Sequence, residues 1–272
     1  MVFLSSLTIA LNGTGQYKIV YEGINSYPKN YQGRYIIYVK ASIYQEYVVV
    51  DDSKNNIILH DDDPTTKIIT GRKNQHEGTK IPQTTTFDTF SQNFIAKSIT
   101  FENTDHSSFF NCEFRGYQDT LYVDQGYQFY RNCKTYGTID FIYGHSTTLI
   151  QNSTILVRKP ALGQSNVVVA DVTNINTNLS TDIVLQNYSI SPNVELTPFP
   201  PTVKTYLARP WQAFSTFGNI GPGANATTRV KWEKVIITRD ETVKFTAEPW
   251  IGASTWLNST GIAYDRGFMA ET

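Results

Sequence analysis

Residues 111–123 read NCEFRGYQDTLYV and residues 132–144 read NCKTYGTIDFIYG. The shared pattern is Asn-Cys, three residues, Gly, two residues, Asp, two residues, Tyr. Cys112 maps to Cys133, Gly116 to Gly137, Asp119 to Asp140 and Tyr122 to Tyr143, each by the same step of 21 residues. A fixed period in the low twenties marks a stacked repeat, in which each unit buries its apolar side only against its neighbours. If each repeat is one turn of a parallel β-coil, matched residues stand about 4.8 Å apart, the spacing of neighbouring strands. Asp119 then lies over Asp140. Cys112 lies over Cys133, inside the roughly 4.4–6.8 Å window of Cα separations that a disulfide spans, so a disulfide between adjacent turns is expected.

Composition agrees with a β-coil. The 272 residues carry 17 Tyr and 15 Phe, with many Thr, Ile, Val and Asn, and this favours strands over helices. All-β folds of this length are commonly single domains, and one domain over residues 1–272 is expected. The formal net charge is −1, only 17% of residues are charged and there is no basic run, which speaks against a nucleic acid or an anionic membrane as partner. No apolar stretch is long enough to span a bilayer. The opening MVFLSSLTIA has a short apolar run but no basic start or clear cleavage site. Asn12, Asn152, Asn178, Asn187, Asn225 and Asn258 each begin an Asn-X-Ser/Thr triplet. So many acceptor sites, together with a stackable cysteine pair, point to a secreted glycoprotein.

Along the chain, a short strand is expected at Leu7 to Ala10, a turn at 12–15, and an amphipathic helix within Tyr17 to Tyr27 that ends at Pro28 and caps the open end of the coil. Residues 33–50 hold two β-branched and aromatic runs parted by Lys40-Ala41-Ser42, followed by strands at Asn56 to Leu59 and Lys67 to Thr70. The cluster His60-Asp61-Asp62-Asp63 lacks the spacing of a calcium loop and reads as a solvated turn before Pro64. Regular coil begins at Asn93, with an apolar pair leading to Asn111, Asn132, Asn152 and Asn187 in turn. Such asparagines either hydrogen-bond along the stack or simply occupy turns. The wider step from Asn152 to Asn187 implies an inserted loop at Lys159 to Thr177. The tail from Gly221 to Phe268 is expected to hold one strand, Lys234 to Thr238, and to pack outside the coil.

Two carboxylates about 5 Å apart cannot both ionise freely, so Asp119 and Asp140 would form a coupled acid and nucleophile. The other reading is a solvated turn in which both bond backbone amides. Gln118, Tyr122, Phe141 and Tyr143 close by, with Arg209 and Trp211 farther along the chain, suit a sugar ring held over charged groups better than a core.

These residues also carry a resemblance. GYQDTLYV, YGTIDFIYG and YLARPW are similar to the signature blocks of plant pectin methylesterases, and VKASIYQEYVVV, KIITG, FIAKSITFENT, GPGAN, RVKW and GASTWLNSTG resemble further landmarks in the same order. The resemblance implies a right-handed parallel β-helix, secretion to the plant cell wall, and hydrolysis of methyl esters on polygalacturonan (pectin). It implies no metal or organic cofactor, a monomer, and a proteinaceous pectinesterase inhibitor as a partner. Position by position, it makes Asp140 the nucleophile, Asp119 the general acid/base, Gln118 an oxyanion donor, Arg209 the partner of the nucleophile and Trp211 a substrate-binding residue, with Tyr122, Tyr143 and Phe141 beside the substrate.

The chain also departs from that pattern. Between Asn103 and Phe109 the family carries a Gln-Ala-Val-Ala block whose glutamine is the other oxyanion donor, and only 104–108 stand there. A second gap follows Trp211, Ala208 replaces a glycine, and no inhibitor-like pro-region precedes the coil. Three functions therefore compete: a pectin methylesterase weakened by the lost donor, a polygalacturonase-like enzyme using the carboxylate pair as glycosidases do, and a catalytically poor relative that binds pectin.

Overall fold

The computed structural model describes residues 5–61, 67–70, 86–101, 108–123, 126–171, 182–193, 203–209, 215–216, 234–235 and 238–268. The chain opens with β1 (Ser5–Ile9), helix α1 (Val20–Asn25), β2 (Tyr35–Val39), β3 (Ser42–Gln45), β4 (Val48–Val50), β5 (Ile57–His60) and β6 (Lys67–Thr70). It continues through β7 (Phe87–Thr89), β8 (Ile95–Lys97), β9 (Thr100–Phe101), β10 (Ser108–Phe110), β11 (Glu113–Arg115) and β12 (Leu121–Val123). Next come β13 (Tyr127–Arg131), β14 (Lys134–Gly137), β15 (Ile142–Gly144), β16 (Thr147–Gln151), β17 (Thr154–Val157) and β18 (Asn166–Asp171). The series ends with β19 (Asp182–Gln186), β20 (Ser189–Pro192), β21 (Thr205–Ala208), β22 (Ser215–Thr216) and β23 (Lys234–Val235).

Every third strand pairs in parallel with the one a turn earlier. The first sheet runs β1-β2-β5-β8-β10-β13-β16-β19 and the second β3-β6-β9-β11-β14-β17-β20; the third is in two pieces, β4-β7 and β12-β15-β18-β21. This is a parallel β-helix, right-handed as crossovers between parallel strands require. The 21-residue repeat is its register. Phe109 faces Tyr130, Glu113 faces Lys134 and Tyr122 faces Tyr143, so the step is the same in all three sheets. In the next rung Lys134 faces Thr154 while Ile142 faces Val169, because residues 158–165 bulge out before the third sheet resumes. One rung earlier the step shrinks, with Ile95 facing Ser108 and Thr100 facing Glu113. Among the described residues, no strand of the third sheet lies in that short rung.

Inside the coil the inward side chains form a column. Phe87 packs on Phe101 with ring centroids 4.9 Å apart, Phe101 stacks on Phe114, and Phe109 lies parallel to Tyr130 at 4.9 Å. All are buried, and such pairs contribute about 0.5–1.5 kcal/mol each beyond the area they remove from water. Asn111, Asn132, Asn152 and Asn187 all have φ near +50°, which turns the chain from the first sheet into the second. Asn is one of the few residues that takes this conformation at small cost, since its amide bonds locally. Here the bonds run between rungs: Asn152 Nδ2 donates to Asn132 Oδ1 at 2.6 Å and Asn187 Nδ2 to Asn152 Oδ1 at 3.0 Å. The two readings of these asparagines thus hold together.

Helix α1 caps the first rung, with Val20 and Ile24 buried against the β1 side chains Leu7 and Ile9. Its N-terminal residue has no capping side chain; instead the Glu46 carboxylate accepts from the Val20 and Tyr21 amides, both at 2.9 Å. The tail does pack outside the coil, but as short helices α2 (Arg239–Val243), α3 (Ala247–Ile251) and α4 (Ala253–Trp256). Ala247, Ile251, Ala253, Leu257 and Ile262 cover Ile95, Phe129 and Leu149 on the outer face of the first sheet. Arg131 then pairs with Asp265 at 2.6 Å, and Gln186 Nε2 donates to the Gly267 carbonyl at 2.9 Å.

Four sequence expectations need correction. The coil does not begin at Asn93, since β1 already pairs in register with β2; the irregular steps of the first rungs hid the period. The stretch 33–50 holds three strands rather than two, because the chain turns twice within it. The supposed inserted loop from Lys159 contains β18, whose Val-Val-Val run is a third-sheet strand displaced by the bulge. Cys112 and Cys133 do stack on adjacent turns, but both are free, buried thiols. Parallel in-register side chains leave a rung in the same direction, and each sulfur bonds to carbonyls instead: Cys112 Sγ to Phe110 at 3.4 Å and Cys133 Sγ to Arg131 at 3.3 Å.

Candidate active site

Both aspartates sit in the turns that lead from the second sheet into the third, immediately before β12 and β15. Each has a left-handed backbone, φ 54° at Asp119 and 49° at Asp140. Left-handed residues other than glycine carry strain and collect at functional sites. The turns interlock: the Asp119 amide donates to the Ile139 carbonyl at 3.1 Å and the Thr138 amide to the Tyr117 carbonyl at 2.6 Å. Gly137 is required here, because a Cβ on it would lie 2.2 Å from the Phe141 side chain.

The two carboxyls meet different surroundings. Asp140 is buried, and its Oδ2 is ion-paired with Nη2 of Arg209. Arg209 follows β21, held by its amide donating to the Val169 carbonyl at 3.2 Å, and its side chain reaches back across β18. Asp140 Oδ1 is buried with no hydrogen-bond partner among the described residues. An unpaired buried carboxylate oxygen is costly, so it calls for an explanation. Asp119 is half-buried; burial pushes its carboxyl above the usual range, while the charge of Arg209 and a hydrogen bond from the Gln118 side chain pull the other way. One carboxylate is thus tied to a cation while its neighbour is biased to keep its proton.

Tyr122 and Tyr143 face outward from the third sheet, stacked with centroids 4.8 Å apart and 21° between planes. Gln118 is exposed beside Asp119. Phe141 is not at the surface: it is fully buried, because the turn at Asp140 directs its ring inward beneath Gly137. Its expected place beside a substrate is therefore wrong. Trp211 lies outside the described residues, as do Asn178 and Asn225. Asn12, Asn152, Asn187 and Asn258 are exposed. Asp61 is buried, and the rest of its acidic cluster lies outside the described residues. Among the described residues no group of three or more His, Cys, Asp or Glu could hold a metal ion.

Sequence reading passed over Arg158, which follows β17 and lies against both aspartate turns. Carrying the repeat one rung past Gly144 would have placed it at the matching turn.

A family model described as Pectinesterase matches residues 6–217. Pectinesterase 4 of Arabidopsis thaliana is 37% identical over 308 aligned positions, which cover 95% of this chain and 52% of that protein. That alignment is longer than the whole 272-residue chain, so the relative has segments that this chain lacks. A pectinesterase of Petunia integrifolia is 35% identical over 96% of this chain and 84% of its own length. Among solved structures, the pectin methylesterase from carrot superposes with a TM-score of 0.91 at 31% identity, covering 98% of this chain and 99% of that one. The chain spans about half the length of most curated relatives it matches.

Proposed function

The chain belongs to the pectinesterase family, and from that premise we propose that it hydrolyses methyl esters of polygalacturonan to pectate and methanol. The observation that carries this reading is the unequal pair: Asp140, paired with Arg209 and with one unpartnered oxygen, beside Asp119, whose environment favours its protonated form. Asp140 attacks the ester carbonyl carbon, and the oxyanion that forms accepts a hydrogen bond from the Gln118 amide. As the C–O bond to the methoxy group breaks, Asp119 gives its proton to that oxygen and methanol leaves. Asp119, now ionised, takes a proton from water; the water oxygen adds to the acyl carbon, and Asp140 leaves as a free carboxylate. Tyr122 and Tyr143 form the platform for sugar rings, and Trp211 is a further substrate contact. Residues 1–272 act as one catalytic domain in this reading, a monomer working in the cell wall after secretion and open to a proteinaceous inhibitor.

The test is to incubate purified protein with methylated pectin and follow methanol and reducing ends together. Methanol without new reducing ends is expected. Reducing ends would select a glycosidase, and retention on pectin with no product would select a binding protein; either result would overturn the proposal.

A further inference from the structure

Arg158 contacts both aspartate turns at once. Its backbone amide donates to the carbonyl of Gly137, three residues before Asp140, at 2.7 Å. Its side chain reaches back a further rung, where Nη1 donates to the carbonyl of Gly116, three residues before Asp119, at 2.8 Å. The guanidinium lies 4.8 Å from the ring centroid of Tyr117, next to Gln118, and 5.6 Å from that of Tyr136. Arg115 approaches the same Tyr136 ring at 5.2 Å while forking onto Glu113, which also accepts from Lys134 at 3.0 Å. Tyr136 is therefore flanked by two cations and cannot swing away. Arg158 Nε is buried without a partner. An arginine left partly unsatisfied is there for its reach and its stack, since a simple surface cation would turn to water.

We infer that Arg158 is a positioning residue: it clamps the Gly116–Asp119 turn against the Gly137–Asp140 turn and so fixes the spacing of the two carboxyls and the aim of Gln118. No other hydrogen bond printed on the structure spans these two turns from the rung beyond them. The clamp suits Arg and not Lys, because a planar guanidinium both donates to Gly116 and lies on Tyr117, whereas an ammonium does only the first. Misplacing catalytic groups by about 1 Å costs on the order of 10²-fold in rate.

This inference rests on the proposed esterase reading, so the experiment has one arm with substrate and one without. In Arg158→Ala, kcat for methanol release should fall about 10²-fold with KM within about twofold. Arg158→Lys should recover part of the loss. Without substrate, amide hydrogen exchange at Asp119 and Thr138 should quicken about tenfold in Arg158→Ala, while exchange at Lys134 and Asn152 stays as in the wild type. An unchanged kcat in an active protein would overturn the clamp. So would exchange that rises equally at all four amides, since that is general destabilisation. If the wild type releases no methanol, the esterase reading fails, and the clamp then stands or falls on whether exchange rises at Asp119 and Thr138 alone.

Discussion

Asp119 and Asp140 share a backbone conformation and a place in the coil, so their roles must come from what surrounds them. Arg209 on Asp140 keeps a nucleophile ionised; burial of Asp119 keeps an acid protonated. Asp140→Asn should reduce methanol release to background, and Asp119→Asn should lower kcat by about 10²–10⁴-fold, with retention on pectin unchanged in both. A wild-type rate in either would remove the assignment. The hydrogen bond from Gln118 lowers the Asp119 pKa, so Gln118→Ala should raise it. Because the reaction needs protonated Asp119, the alkaline limb of kcat/KM should move to higher pH in that variant, whatever its height; a limb that stays or moves down refutes the acid role. Stability follows with the sign fixed by linkage. From the ordinary aspartate value up to the raised one, the native state holds a proton that the unfolded chain has lost, so stability declines as pH rises through that window. Asp119→Asn should abolish this decline, giving a higher Tm than wild type above the window and no gain below it. For the cysteines, burial pushes the Cys133 thiol well up, and both sulfurs are enclosed. A thiol reagent should react slowly with native protein and count two thiols after denaturation without reductant; a count of zero would restore the disulfide.

Elements are held by the match between one turn residue and the next. In the asparagine ladder, Asn132→Ala loses the bond with Asn152 and puts a Cβ with no local partner into a left-handed turn, which should cost about 1–2 kcal/mol in urea unfolding. Asn132→Gly should cost less, because only the bond is lost; equal costs would mean that backbone conformation is not the source. This ladder was legible because Asn occurs at a fixed step after an apolar pair. So were β10 to β15, where the period is strict, and with them the stacking of the aspartates. Elsewhere the strand pattern held while the period did not: β18 was hidden by a bulge of residues 158–165, although its valines are strong strand formers. Helices α3 and α4 are too short to show a helical period and exist by packing on the first sheet. Helix α2 did carry a signal, since the Thr238 hydroxyl accepts from the Glu241 amide at 3.3 Å and the Glu241 carboxylate bonds back to Thr238. Phe141 could not be placed from sequence, because aromatic character does not say which way a left-handed turn sends the next ring.

At the scale of the whole molecule, the coil is continuous in two sheets and broken in the third, and the break lies one rung before Asp119. There the step between rungs falls short, Ile95 facing Ser108, so the chain passes from β9 to β10 without a described third-sheet strand. This is the rung where the family pattern carries its glutamine-bearing block, and the alignment with the Arabidopsis thaliana relative demands segments absent from this chain. Gln118 is then the single side-chain donor for the oxyanion in the proposed reaction. Losing one such donor typically costs about 10²–10³ in rate, or roughly 2.7–4 kcal/mol of transition-state stabilisation, because the developing charge sits where water cannot substitute. The remaining machinery does not depend on that rung: Arg209 is placed by β18 and β21, and both aspartate turns are tied to each other and to Arg158 on the far side. Inserting a third-sheet segment with a Gln-Ala-Val-Ala block between Asn103 and Phe109 should therefore raise kcat by about 10²–10³-fold while leaving the pH limbs in place. The comparison is methanol release by the two proteins, with circular dichroism and urea unfolding showing the coil intact in each. An unchanged rate in two folded proteins would mean that another group already serves the oxyanion, and the short rung would then be a change in shape without a catalytic cost.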